Sequence, residues 1–280
     1  PPRQRGARVH HGAYTNAPTP HPALTPHAAD DGCELPTLPH DEGTCTLEMI
    51  LYAGRQTDPY AHIFATNHQG RMYSFGVDDG GGASFGRMEN GKLESTFNNN
   101  LLDATADKPT HVACVWDGQE LSLYYDGQLA SRGTKGTYDV SQRYSFQTSL
   151  CCAITLKNGI PASRYFSQAA VDELRISNTA RYRENFPVPV DRFIPDEHTL
   201  ALYHFDEGQG DVLKDSSSNG HHGKIHGATW VRVDDDLKVI DPEPEESYTL
   251  EFDGTDDYVE LPVIPLPTQT SEDAFTVESW

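Results

Sequence analysis

Basic residues are scarce in this chain: 21 Lys and Arg stand against 42 Asp and Glu, a formal net charge of -21. A surface so acidic repels nucleic acid and anionic membranes, so neither is expected as a partner, and it suits salty or extracellular surroundings. No apolar run approaches the roughly 20 residues that cross a bilayer, so membrane insertion is not expected. Helix formers at 3.6-residue spacing are also scarce, which argues against an α-helical or α/β domain. The five cysteines show neither CxxC nor Cys/His spacing for zinc, and their odd number prevents complete pairing within the chain. Cys114 is read as a small core residue, and a Cys33 to Cys45 bridge is one pairing the spacing permits. Acids two positions apart, as a carboxylate pair on one strand face requires, occur at Asp241, Glu243 and Glu245. Pro242 and Pro244 lie between them and mark a linker rather than a catalytic strand. Nothing nominates a Ser/His/Asp set.

Turn formers and short β-branched or aromatic runs are plentiful, with 23 Gly and 19 Pro. The stretch His111 to Leu129, HVACVWDGQELSLYYDGQL, organises the rest. Val112, Cys114 and Trp116 share one face and Ala113 and Val115 the other, which suits a central strand apolar on both sides. Leu121, Leu123 and Tyr125 alternate with Ser122 and Tyr124. Asp117-Gly118 and Asp126-Gly127 supply the turns, since Asp-Gly between apolar runs is a strong hairpin signal. Further strands are expected at Thr46 to Tyr52, in hairpins at 63–76 and 84–97, in Tyr144 to Leu156, and in a closing strand, Ala169 to Ser177. A short helical turn is expected at Thr179 to Asn185, and the proline-rich Phe186 to Pro195 reads as an extended connector. The expected class is all-β, an antiparallel β-sandwich.

The chain also repeats itself. Leu24, Asp30, Asp31, Glu34, Leu35 and Pro36 recur as Leu250, Asp256, Asp257, Glu260, Leu261 and Pro262, a constant shift of 226. His10, His11, Gly12 and Ala17 recur as His221, His222, Gly223 and Ala228 with a shift of 211. The longer spacing in the second copy is taken up by an acidic connector, residues 234–246. The expected organisation is one module over residues 1–195, nearly complete but for its opening strand, and the front of a second over residues 196–280. The chain starts at Pro1 without an initiator Met and stops at Trp280 inside what reads as a strand, so a fragment of a longer parent is expected.

On HVACVWDGQELSLYYDGQL, VDELRISNTARY at 171–182, LALYHFDEGQGDVLKDSSSNGHHGKIHGATWV at 200–231 and LEFDGTDDYVELP at 250–262, the chain resembles the laminin-G-like, concanavalin A-like jelly-roll modules of bacterial surface and secreted proteins. The resemblance implies a sandwich of two antiparallel sheets, an extracellular or cell-surface location, and a non-catalytic role in binding carbohydrate or protein ligands. It also implies that YHFDEG opens a module and VDELRIS ends one. A structural spacer within a larger multidomain protein is the second expectation, and a glycoside hydrolase of the same fold the third. The first copy departs from the pattern at Pro26, His27 and Ala28, where the second has Phe252, Asp253 and Gly254.

Candidate ligand residues are few. Asp215, Ser217 and Asn219 place oxygen-bearing side chains at alternate positions before Gly220, like the front half of a calcium loop, and Asp206 or Glu207 could complete the shell. Calcium is the cofactor such a loop would hold; the competing reading is a turn satisfied by its own backbone. Asp78-Asp79-Gly80-Gly81-Gly82 offers a second acidic loop. Tyr60, Tyr73 and Phe75 are candidates for an aromatic platform under a sugar ring, against the commoner fate of cross-strand packing. The His10-His11 and His221-His222 pairs read as exposed turn residues, because adjacent side chains on extended backbone diverge.

Overall fold

The computed structural model describes residues 21–25, 32–36, 43–54, 56, 59, 61–68, 71–102, 108–139, 145–157, 160–167, 169–226, 228–233 and 239–240. Residues 1–241 form one compact unit; residues 242–280 form another and lie outside the described residues. The described chain opens with β1 (His21–Thr25), β2 (Gly32–Glu34) and β3 (Cys45–Ala53), followed by a meander of β4 (His62–His68), β5 (Arg71–Val77), β6 (Ala83–Glu89) and β7 (Lys92–Asn98). Next come β8 (Thr110–Trp116), β9 (Leu121–Tyr125), β10 (Gln128–Arg132) and β11 (Gly136–Asp139). Short strands β12 (Ser145–Gln147), β13 (Ser149–Leu150), β14 (Cys152–Lys157) and β15 (Ile160–Phe166) lead to the long β16 (Ala169–Ser177). The last described strands are β17 (Thr199–Tyr203), β18 (Val212–Leu213), β19 (Gly223–His226), β20 (Thr229–Val233) and β21 (Val239–Ile240).

Two nine-stranded sheets result. Sheet A runs β10-β9-β8-β3-β16-β1-β20-β21, with β17 also on β16; sheet B runs β11-β7-β6-β5-β4-β13-β2-β19-β18. A small sheet C, β12-β14-β15, packs beside β4. The expected hairpin is present: Val112 lies opposite Tyr125 and Trp116 opposite Leu121. Asp126 and Gly127 carry positive φ, as a tight two-residue turn between right-twisted strands demands. Asn90 and Gly91 do the same between β6 and β7.

Period-two alternation then sorts the side chains. Leu47, Met49, Leu51, Val112, Cys114, Leu123, Val171 and Leu174 from sheet A meet Ile63, Phe64, Tyr73, Phe75, Phe85 and Leu150 from sheet B in one core. That is the antiparallel sandwich the sequence implies. Cys33, Cys45, Cys114 and Cys151 are buried and in no disulfide, so Cys33 and Cys45 form no bridge, and burial pushes the Cys45 thiol up to about 12. They behave as small core residues.

The boundary expected after residue 195 falls inside this packing unit. The free side of β16 is shared end to end: Val171 pairs with Leu24 of β1, while Leu174 to Ser177 pair with β17. In the same sheet β20 pairs with β1 along its whole length, and on the other sheet β19 pairs with β2, Ile225 lying opposite Cys33. Tyr203, Phe205, Leu213 and Ile225 all enter the core. Strands assigned by sequence to the front of a second copy thus complete both layers of the first.

The connector between β16 and β17 is a packed strap, and Thr179 to Asn185 contain no helical turn. The Tyr182 ring stacks on Phe186 at 3.5 Å, and both meet Tyr124 edge-on. Phe193 is buried with Ile50 and Leu202. The strap closes over charge. Glu48, fully buried on the outward side of β3, accepts from Arg175 Nε and from Tyr182 OH at 2.7 Å, and His111 Nε2 lies 3.4 Å away. Burial pushes its carboxyl up, but His111 and Arg175 outweigh that and hold it below the ordinary 4.5. Nearby, Glu173 accepts from Arg192 Nε, lies 2.9 Å from His204 Nδ1 and accepts from the Phe193 amide, while Arg192 also grips Asp206 with two nitrogens. The connector is a strap instead of a free linker because both its ends are tied to sheet A and the residues flanking its strands, through Ala180, Arg181, Tyr182, Asn185 and Phe186 at one end and Arg192, Phe193 and Ile194 at the other.

Candidate ligand-binding face

The outer face of sheet A is sealed by the strap, so the outer face of sheet B is the one to build upward. Two short sequences, Ser74-Phe75-Gly76 on β5 and Ser84-Phe85-Gly86 on β6, run antiparallel, with Phe75 opposite Phe85 and both rings in the core. Alternation sends the flanking Ser and Gly to the opposite face. On β7, Thr96 lies opposite Phe85 and points inward, donating to or accepting from Ser131 Oγ at 2.7 Å; Ser95 and Phe97 therefore point outward.

Cross-strand pairing lines these residues up in rows. Gly76, Ser84 and Phe97 form one row; Ser74, Gly86 and Ser95 the next; Met72, Met88 and Leu93 the third. The floor is a shallow trough of glycines and serines with an apolar wall. A Cβ on Gly86 would come within 3.2 Å of both Leu93 Cδ1 and Ser74 Oγ, so the Leu93 side chain leans over that glycine and a larger residue there would crowd it. Ala65, Met72, Ser74 and Met88 are buried on this side, whereas Ser84 is exposed and Phe97 is 48% exposed, an unusual state for a large aromatic side chain. Chemically, the trough offers hydroxyl groups beside an open aromatic ring.

The residues singled out by sequence sit elsewhere. Tyr73 and Phe75 belong to the core, 5% and 0% exposed, and Tyr73 stacks on Phe85 with centroids 6.1 Å apart, so neither can form a platform. The error is one position in a period of two: the outward residues of β5 are Met72, Ser74 and Gly76. Tyr60 lies outside the described residues. The open aromatic ring is Phe97; its signal in the sequence is the doubled Ser-Phe-Gly, which fixes which side of the meander faces out.

The calcium candidates are brought near one another but not into a shell. Asp215 is buried, and its two oxygens accept from the amides of Leu202, Ser217 and His221 and from Ser217 Oγ. Burial raises its carboxyl, and these donors, that of Leu202 first, outweigh it and hold the group below 3.8. Asp206 is taken by Arg192, Glu207 Oε1 accepts from the Lys214 amide, and Asn219 donates to the carbonyls of Thr199 and Leu200. His222 Nδ1 accepts from the Asp215 amide, and His221 Nδ1 lies 2.8 Å from the Leu200 carbonyl. The donors on Asp215 and the Arg192 grip on Asp206 close this turn on its own chain, while Glu207 Oε2 is buried without a hydrogen-bond partner among the described residues. No three His, Cys, Asp or Glu side chains gather as metal ligands among the described residues. The Asp78 loop is closed in the same way, Asp78 Oδ1 accepting from the Gly80 and Gly82 amides.

Comparison with known proteins bears on the fold. A Bacteroides ovatus protein described as a candidate carbohydrate-binding protein superposes with a TM-score of 0.54 at 16% identity, over 79% of this chain and 60% of that one. The chain thus spans less than two thirds of its length. The CBM40 domain of a Ruminococcus gnavus IT-sialidase matches with a TM-score of 0.40 at 13% identity, over 57% of this chain and 93% of that domain. A SAP-like pentraxin of Limulus polyphemus matches with a TM-score of 0.38 at 13% identity, over 63% and 80%. No curated protein matches the chain. The Laminin_G_3 family model, described as the concanavalin A-like lectin/glucanases superfamily, matches residues 27–185, more than half of the chain. With its two antiparallel sheets and that match, the chain belongs to the Laminin_G_3 family of concanavalin A-like lectins and glucanases.

Proposed function

We propose that this protein is a non-catalytic carbohydrate-binding module that works outside the cell and lays its ligand across the outer face of sheet B. The single observation that carries this reading is Phe97, a ring 48% exposed beside the hydroxyls of Ser84 and Ser95. A pyranose presents an apolar C–H face and a fringe of hydroxyls, so an open aromatic ring with hydrogen-bonding groups beside it suits a sugar. Family membership supports the class of ligand by analogy only, because one fold hosts many functions.

Two buried carboxylates are already committed to structure. Glu48 and Glu173 lie on the outward side of sheet A beneath the strap, each held by arginine, and a glycosidase needs its acid pair open to a groove. The test is a glycan array followed by affinity electrophoresis in soluble polysaccharides, with the wild type and Phe97→Ala, with and without chelator. The expected result is saturable retardation that Phe97→Ala abolishes and chelator leaves intact. Absence of any saturable glycan would favour a structural spacer, and bond cleavage by the wild type would establish a hydrolase.

A further inference from the structure

An Asn or Asp followed by Gly is a chemically open step in any chain. Glycine has no Cβ to shield its amide, so that nitrogen can reach the carbonyl carbon of the preceding side chain. Hydrogen bonds to the side chain or to the amide hold the two apart. Five such steps lie wholly among the described residues, and four are tied down. In Asp79-Gly80 the Gly80 amide donates to Asp78 Oδ1. Asp117 Oδ1 accepts from the Gln119 and Glu120 amides, and Oδ2 accepts from Arg183. Asp126 accepts from the His111 amide and from Lys108. In Asn219-Gly220 the Asn219 Nδ2 donates to the carbonyls of Thr199 and Leu200, both at 3.0 Å.

Asn90-Gly91 is the fifth, and it is loose. It forms the two-residue turn between β6 and β7, Asn90 at φ +50 and Gly91 at φ +73, with Asn90 exposed. The ladder closes one step earlier, where Glu89 lies opposite Lys92. Neither the Asn90 carboxamide nor the Gly91 amide has a hydrogen-bond partner among the described residues. Asn90 can therefore turn about its Cα–C bond and bring the two groups together while Met88 stays paired with Leu93.

We propose that Asn90-Gly91 is a site of spontaneous covalent modification, at which the folded protein loses the Asn90 amide through a cyclic imide. The Gly91 nitrogen, having given its proton to hydroxide, attacks Asn90 Cγ. The N–Cγ bond forms, the Cγ–Nδ2 bond breaks, and the nitrogen leaves as ammonia. Water then opens the five-membered ring at either carbonyl, giving Asp at position 90 or its β-linked isomer. Water enters and ammonia leaves, with no oxidation or reduction. Each event adds one negative charge beside Glu89. The β-linked product also inserts Cβ into the main chain of a turn whose twist matches its strands only as two α-linked residues.

The test is ageing of the whole folded chain in warm, mildly alkaline buffer, followed by proteolytic peptide mapping by mass spectrometry. Amide-to-acid conversion is counted at Asn90 and at Asn219, with the β-linked form separated by retention time. Conversion at Asn90 should run at least about tenfold faster than at Asn219 in the folded chain. The two should come within about twofold of each other in urea, where the ties on Asn219 are gone. Asn90→Gln, which would have to close a larger ring, should remove the acidic species seen by isoelectric focusing. Equal conversion of Asn90 and Asn219 in the folded chain, or conversion of Asn90 in urea only, would overturn the proposal.

Discussion

The two outer faces of this sandwich have been treated in opposite ways. Sheet A turns outward Glu48, His111, Glu173 and Arg175, all 9% exposed or less, and roofs them with Tyr182, Phe186 and Phe193. Sheet B turns outward serines and glycines beside Met72, Met88 and Leu93 and leaves Phe97 half open. An ion cluster in low dielectric contributes little net stability once its desolvation is counted, but it penalises any arrangement that leaves one member unpaired. The sealed face is therefore specified tightly and is poorly suited to a ligand. The open face is packed at Ala65, Met72, Ser74 and Met88 and loosely specified only at Ser84, Ser95 and Phe97, where it can be altered without unfolding the protein.

That contrast can be attacked first at Glu48. Glu48→Ala leaves Arg175 buried without its partner and should cost about 3–5 kcal/mol, read as a lowered urea midpoint with unchanged slope. Gly127→Ala should come next. Gly127 sits at φ +72, and a Cβ there would lie 2.0 Å from the Phe186 carbonyl, whose own amide donates to Gly127 O. The left-handed backbone alone should cost about 1–3 kcal/mol, and pushing the strap off the hairpin adds to it. Exposure of the strap's tyrosine and phenylalanine rings would show in near-ultraviolet circular dichroism.

Acid should act on the sealed face before the open one. The carboxyls of Glu48 and Asp215 are held below 4.5 and 3.8, so both favour the folded state at pH above those values, and the unfolded chain takes protons first as pH falls. Stability should therefore drop progressively below about pH 4.5, and Glu48→Gln should flatten part of that drop. A midpoint that does not fall between pH 4.5 and 3 would contradict the assignment. The smallest structural effect belongs to Phe97→Ala, which should change stability by less than about 0.5 kcal/mol while removing ligand retardation.

How far all this could be read in advance depended on the range of the interactions. The hairpin at 111–129 and the closing strand at 169–177 were legible, because Asp-Gly turns and period-two alternation are local. Which face of β5 looks out was legible in principle and misjudged, since Tyr73 and Phe75 draw attention as aromatics although Ser74 and Gly76 are the residues that face outward. The turn around Asp215 had two readings in sequence, and only the four donors on its oxygens separate them. The strap was not legible. Its prolines say extended, and nothing local says that Tyr182 reaches Glu48, 134 positions away, or that Arg192 reaches Glu173 on the strand before it. The same holds for β17 to β20, which the sequence repeat assigns to a second copy but which join the sheets built by residues 21–177.

The central claim is that sheet B's outer face, and not the strap, meets the ligand. Ser95→Arg fills the trough, and Ile194→Arg, at a strap residue 73% exposed, adds the same charge to the other side of the molecule. Affinity electrophoresis of both variants against the wild type, at matched urea midpoints, should show retardation lost for Ser95→Arg and kept for Ile194→Arg. Retention by Ser95→Arg with loss in Ile194→Arg would place the ligand on the strap and contradict the claim.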